Sequence, residues 1–168
     1  MSTIFQPNAE SAILASNSKT LSANNTTANV GLWSWTGSIR VFKLYGIVTT
    51  VLGANQTACY WNVYDQSTRT ALTAAAGTTI SAAGVGGMIA KLGLKATALN
   101  YANSSGIVIV EPTTLETLTF EDFSLVANNG ATSEIDFTYT TTDAPTSGAI
   151  QFFLEWMPLS SGAKVTAL

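Results

Sequence analysis

A chain of 168 residues with one cysteine, no histidine and only 10% charged residues is one domain's worth, long enough to bury a core without a disulfide or metal staple. Its net charge is −3 and its seven basic residues are scattered, so no Lys/Arg stripe exists to neutralise phosphates and nucleic acid is not an expected partner. A surface this poor in charge fits either a life packed against other subunits, since it keeps copies of a protein apart badly, or a β-protein with Thr/Ser-rich exposed faces.

The opening MSTIFQPNAE has no basic n-region followed by an apolar run, and no stretch approaches about 18 consecutive apolar residues, so neither secretion by signal peptide nor a membrane span is expected. Residues 1–31 scatter Ile4, Phe5, Ile13, Leu14 and Leu21 among Ser, Asn, Ala and Thr without a sustained period. Too little apolar surface is available there for independent folding, so this segment reads as an extended N-terminal arm that either stays mobile or is ordered by lying across a neighbouring subunit. Ile4, Phe5, Ile13 and Leu14 are its interface anchors. A helix over residues 10–16 would be too short to stand unsupported. The folded domain is expected over residues 32–168.

In LWSWTG, Trp33 and Trp35 fall on one side of a strand. Paired tryptophans admit a carbohydrate platform, although rings leading into the most apolar strand are more often core or interface. That strand, Ser38 to Leu52 (SIRVFKLYGIVTTVL), is the organising stretch of the chain. β-Branched and apolar residues occupy both parities, as in a central strand, and Gly46 marks an expected bend where the strand passes between sheets. Thr57 to Asp65 follows as its hairpin partner, with Cys59, Trp61 and Val63 on one face and Tyr60, Asn62 and Tyr64 on the other. Tyr60 and Tyr64 join Trp33 and Trp35 as the aromatics that an interface or a ligand would use. An Asp65 turn leads to a return strand over residues 69–73.

Residues 74–87 are a small-residue loop with one short strand expected at residues 78–81, and its glycines match no phosphate-cradling spacing. MIAKLGLKA alternates as a strand whose Lys91 and Lys95 face solvent or a partner's acids. IVIVEP closes at Pro112, which a central strand would not tolerate. LETLTFEDFSLV and SEIDFTYTTT read as a hairpin around Asn128-Asn129-Gly130, with Ile135, Phe137 and Tyr139 inward and Glu134, Asp136 and Thr138 toward solvent. The last strand, AIQFFLEWMP, turns Ile150, Phe152, Leu154 and Trp156 inward. Many short strands with Gly/Asn/Ser turns and no long helix give an all-β, antiparallel β-sandwich of jelly-roll type, with an immunoglobulin-like sandwich as runner-up.

The chemistry of catalysis is thinly represented. Without histidine, Cys59 has no imidazole partner, and the serines sit in no GxSxG elbow. Carboxylate pairs at Glu121/Asp122 and Glu134/Asp136 are better read as an adjacent, oppositely directed pair and as the wet face of a strand. Asp122, Glu134, Asp136 and Asp143 could offer oxygens to a hard cation, but their spacing is not EF-hand-like, and no catalytic residue, cofactor or metal is assigned. Charge is unevenly placed: six basic against two acidic residues over 1–110, and one basic against eight acidic over 111–168. The two parts could pair between subunits or, if they interleave, within one.

The C-terminal GAIQFFLEWMPLSSGAKVTAL resembles the ends of small structural proteins of tailed-bacteriophage virions: a Gly-x-Ile strand, an aromatic run, Pro-Leu and a Gly-Ala-x-Val tail, here Gly148, Ile150, Trp156, Pro158, Leu159, Gly162, Ala163 and Val165. SIRVFKLYGIVTTVLGAN is similar to the same group. The resemblance implies a head decoration (cement) or auxiliary capsid protein, a β-sandwich, commonly a homotrimer, located in the virion after synthesis in a host cytoplasm and touching the major capsid protein or another virion protein. The alternative from a different class is a receptor- or glycan-binding module of a head fibre or tail, with Trp33, Trp35, Tyr60 or Tyr64 exposed in a cleft.

Overall fold

The computed structural model of the chain describes residues 12–22, 26–53, 56–74, 79–80, 83–93, 97, 100–102, 120–127, 132–141 and 148–168. These residues form strands and no helix: β1 (Ile13–Leu21), β2 (Thr27–Thr36), β3 (Ser38–Thr50), β4 (Gln56–Tyr64), β5 (Arg69–Ala71), β6 (Met88–Ala90), β7 (Asn100–Ala102), β8 (Phe123–Val126), β9 (Ser133–Thr141), β10 (Gly148–Pro158) and β11 (Lys164–Ala167). The first sheet runs β1-β10-β3-β6-β7 with β8 also on β3, and the second runs β11-β2-β9-β4-β5. Every pairing is antiparallel.

The two sheets face each other across the side chains that strand alternation turns inward. From β9 these are Ile135, Phe137 and Tyr139, and from β10 Ile150, Phe152, Leu154 and Trp156, all buried. Phe137 ties the layers together, its ring 5.1 Å from Phe152 across the sandwich and 5.6 Å from Trp61 beside it on β4. Burial of each such side chain contributes roughly 1.5–3 kcal/mol.

β3 is the central strand that its composition predicts, flanked by β10 on one side and by β6 and β8 on the other. It does not change sheet at Gly46. A Cβ there would come within 2.8 Å of Ile150 Cγ2 and 3.1 Å of Phe152 Cδ1, so the glycine serves close packing; the register of β3 on β10 shifts elsewhere, between Glu155 and Trp156 and between Ala149 and Ile150. A strand glycine signals either a bend or a close approach, and only the neighbours decide which.

Several other expectations are corrected by long-range pairing. β3 and β4 form no hairpin, because they lie in opposite sheets, and β8 and β9 are likewise separated. The Asn128-Asn129-Gly130 turn itself lies outside the described residues, as do residues 107–112, Lys95 and both ends of the expected strand at 78–81, whose residues 79–80 are described and are not in a strand. A turn signal marks a reversal of the chain but does not tell an in-sheet hairpin from a link between layers. Lys91 is buried instead of facing solvent: its Nζ donates to the Gly93 carbonyl at 2.6 Å and lies 4.7 Å from the Phe123 ring centre. Burial holds its amine below the usual lysine range, with Glu121 opposing the shift.

The arm expected over residues 1–31 is, from Ile13 onward, part of the sandwich. β1 pairs with β10 from Ile13 opposite Trp156 to Leu21 opposite Gly148, and β2 begins at Thr27. An edge strand touches its sheet along one side only, so a segment with little apolar content is held by backbone hydrogen bonds that leave no hydrophobic period to read. Ile4 and Phe5 lie outside the described residues.

Candidate functional site

Three surfaces collect the residues from which a function could be built. The first is the outer side of β1. Ile13 and Leu14 are 44% and 57% exposed, at the end of a strand whose remaining outward residues, Ser16, Ser18 and Thr20, are also exposed. On the opposite face Asn17 Nδ2 donates to the Leu32 carbonyl at 2.5 Å, and Lys19 Nζ donates to the Leu168 oxygen at 2.6 Å. These bonds tie β1 to the second sheet and leave its outer side open.

The second surface is a groove of about 610 Å³ at one end of the sandwich, between the β4–β5 turn and β8. It brings Trp35 and Tyr64 together, whereas Trp33 and Tyr60 are not in its wall. Trp33 is fully buried and Trp35 is 3% exposed, so neither ring offers a face to a sugar. Tyr64 presents its ring to the Arg69 guanidinium at 4.0 Å and its hydroxyl to the Gln66 carbonyl at 2.9 Å. Asp65 Oδ1 accepts from the backbone N–H of Ser67 at 2.9 Å and of Thr68 at 2.7 Å, bonds that favour its charged form and lower its pKa. Tyr64, Asp65 and Thr68, which line this groove, are thus engaged in holding its own turn.

The third is a polar row on the outside of the second sheet. Asp136 and Thr138, which alternation assigns to solvent, are instead 1% exposed, as neighbours on β2, β4 and β5 cover them. Asn62 Nδ2 donates to Thr138 Oγ1 at 2.5 Å, and Thr138 donates on to Asn29 Oδ1 at 2.6 Å. Arg69 Nε donates to Asp136 Oδ2 at 3.0 Å. Burial raises the Asp136 pKa and the Arg69 bond and charge pull it back. Period-2 alternation gives the face of a residue, not how tightly long side chains on adjacent strands cover it.

Part of the charge asymmetry of the sequence is spent within one chain. Arg40 pairs with Asp122, Lys43 with Glu155 at 3.0 Å and Arg69 with Asp136, each joining the early basic part to the late acidic part. Cys59 is buried and its thiol is pushed up to about 12, so it carries almost no thiolate at neutral pH. No group of three or more His, Cys, Asp or Glu that could hold a metal occurs among the described residues.

The fold places the chain in the class of two-sheet antiparallel β-sandwiches. The segment GAIQFFLEWMPLSSGAKVTAL supplies β10 and β11, a central strand of one sheet and an edge of the other. Comparison with protein-family models, with curated proteins and with solved structures gives no match.

Proposed function

We propose that the chain is a non-enzymatic structural protein of a phage virion, decorating or cementing the capsid lattice through contacts with copies of itself and with the major capsid protein or another virion protein. The sandwich is read as a jelly roll. Strand order supports this: early strands lie beside late ones in both sheets, β1 by β10 and β2 by β9, as when one long hairpin wraps around a core.

The observation that carries the reading is β1, a long outer strand with exposed Ile13 and Leu14 at its start. Both side chains are about half exposed, so covering the rest of each in an assembly contributes about 0.7–1.5 kcal/mol before ordering costs, and edge backbone groups add hydrogen bonds. The virion setting rests on the resemblance of the β10–β11 segment. The glycan-binding alternative draws less support, since Trp33 and Trp35 are buried.

The test is immunogold electron microscopy of purified particles of the source phage, using antibody against the chain. Label spread over the head is expected. Label confined to the tail, or none on the particle, would overturn the reading.

A further inference from the structure

Resting on the structural reading, we propose that the outer edge of β1 is a homotypic docking surface: two copies of this chain pair their β1 strands antiparallel about a two-fold axis at Asn17. The first sheet of one copy then continues into that of the other.

Proteins protect exposed strand edges by keeping them short, by bulges, by proline or by charge. β5 and β7 are three residues long and β8 and β11 four, so each is too short to template another chain. β1 has nine residues. Its register against β10 runs from Ile13 to Leu21 without a shift, and it contains no proline. Its single charge, Lys19, is drawn away to the Leu168 oxygen at 2.6 Å. Among the described residues, no backbone hydrogen bond of β1 is made beyond its ladder with β10. Among the described residues, none of these guards is present.

Backbone geometry then fixes the register that a second copy takes. Along a strand, successive residues direct their backbone N–H and C=O groups to alternate sides. Only every second residue of β1 can therefore bond outward, and two copies related by a two-fold axis must place that axis on a residue. The axis that pairs the whole strand is at Asn17. Ile13 then meets the partner's Leu21, Leu14 the partner's Thr20, Ala15 the partner's Lys19, and Ser16 the partner's Ser18. No like charges face each other in this register, because Lys19 is opposite an alanine. Such a ladder makes about eight to ten backbone hydrogen bonds, the number an ordinary protein interface carries. A two-fold contact joins subunits in pairs, so the threefold symmetry implied by the resemblance would use a different surface.

The test uses charges on exposed β1 residues of the full-length chain. Sedimentation equilibrium over a concentration series reads association, and thermal unfolding verifies folding. The wild type is expected to dimerise. Ser16→Lys with Ser18→Lys, or Ser16→Glu with Ser18→Glu, puts like charges directly opposite across the axis and should weaken association at least tenfold. Ser16→Lys with Ser18→Glu places each lysine against a partner's glutamate and should restore the wild-type constant to within about threefold. A monomeric wild type, like-charge variants that associate normally, or a mixed variant that fails to recover would each overturn the pairing. Particle labelling is independent of these results, so the β1 contact can fail while the virion reading stands, and the reverse.

Discussion

Replacing Arg69 by alanine strands a buried carboxylate. Asp136 is 1% exposed and its Oδ2 accepts from Arg69 Nε at 3.0 Å, while the arginine side chain remains 40% exposed. Removing one partner from a buried ion pair costs about 3–5 kcal/mol. Water reaches the arginine side, so the lower end, about 3 kcal/mol at neutral pH, is expected, equivalent to a fall in Tm of roughly 6–12 °C for a chain of this size. The cost must depend on pH. Burial raises the Asp136 pKa and Arg69 opposes that rise; without Arg69 the native carboxyl keeps its proton further above the value of the unfolded chain. Between the unfolded value, near 3.9, and the raised native one, the native state binds more protons than the unfolded state, so stability falls as pH rises. The deficit of Arg69→Ala relative to wild type should therefore be smallest at about pH 3, where the carboxyl is largely protonated in both states, and largest at pH 7. Adding Asp136→Asn removes the stranded charge and should recover most of the loss at pH 7. Urea unfolding at both pH values, followed by tryptophan fluorescence, measures all three variants. A deficit independent of pH, or no recovery in the double variant, would refute the reasoning.

Other measurements probe the core and the site. Gly46→Ala should cost about 1–3 kcal/mol by overpacking, since the added methyl would meet Ile150, Phe152 and Ile89 at 2.8, 3.1 and 3.2 Å; an unchanged urea midpoint would contradict that packing. All four tryptophans are at most 5% exposed, so iodide should quench native fluorescence weakly, and strong quenching relieved by a sugar would favour the glycan-binding alternative. Cys59, buried with its thiol pushed up to about 12, should react with a thiol reagent at pH 8 only at the rate of unfolding; rapid labelling of the native chain would show that the β4 face is open.

Much of the core was legible in the residues themselves. Period-2 alternation assigns Ile135, Phe137, Tyr139, Ile150, Phe152, Leu154 and Trp156 to the interior, and all are buried, because a strand's pleat sends successive side chains to opposite faces whatever it pairs with. The β4–β5 return at Asp65 was equally readable, its turn chemistry being contained within four residues. The expected solvent exposure of Asp136 was not correct, because cover by Arg69 comes from another strand.

What the tertiary structure alone decided is which strands are neighbours. β1 lies beside β10, more than 120 residues away in sequence, and the pairing uses backbone groups that every residue carries, so the side chains of Ile13–Leu21 hold no record of it. The sheets to which β4 and β9 belong, the packing role of Gly46 and the burial of Lys91 have the same origin. Composition and alternation determine that this chain makes strands and which face of each is apolar; the order of those strands, and hence the place of β1 at the end of its sheet among the described residues, follows from how two sheets close over one core.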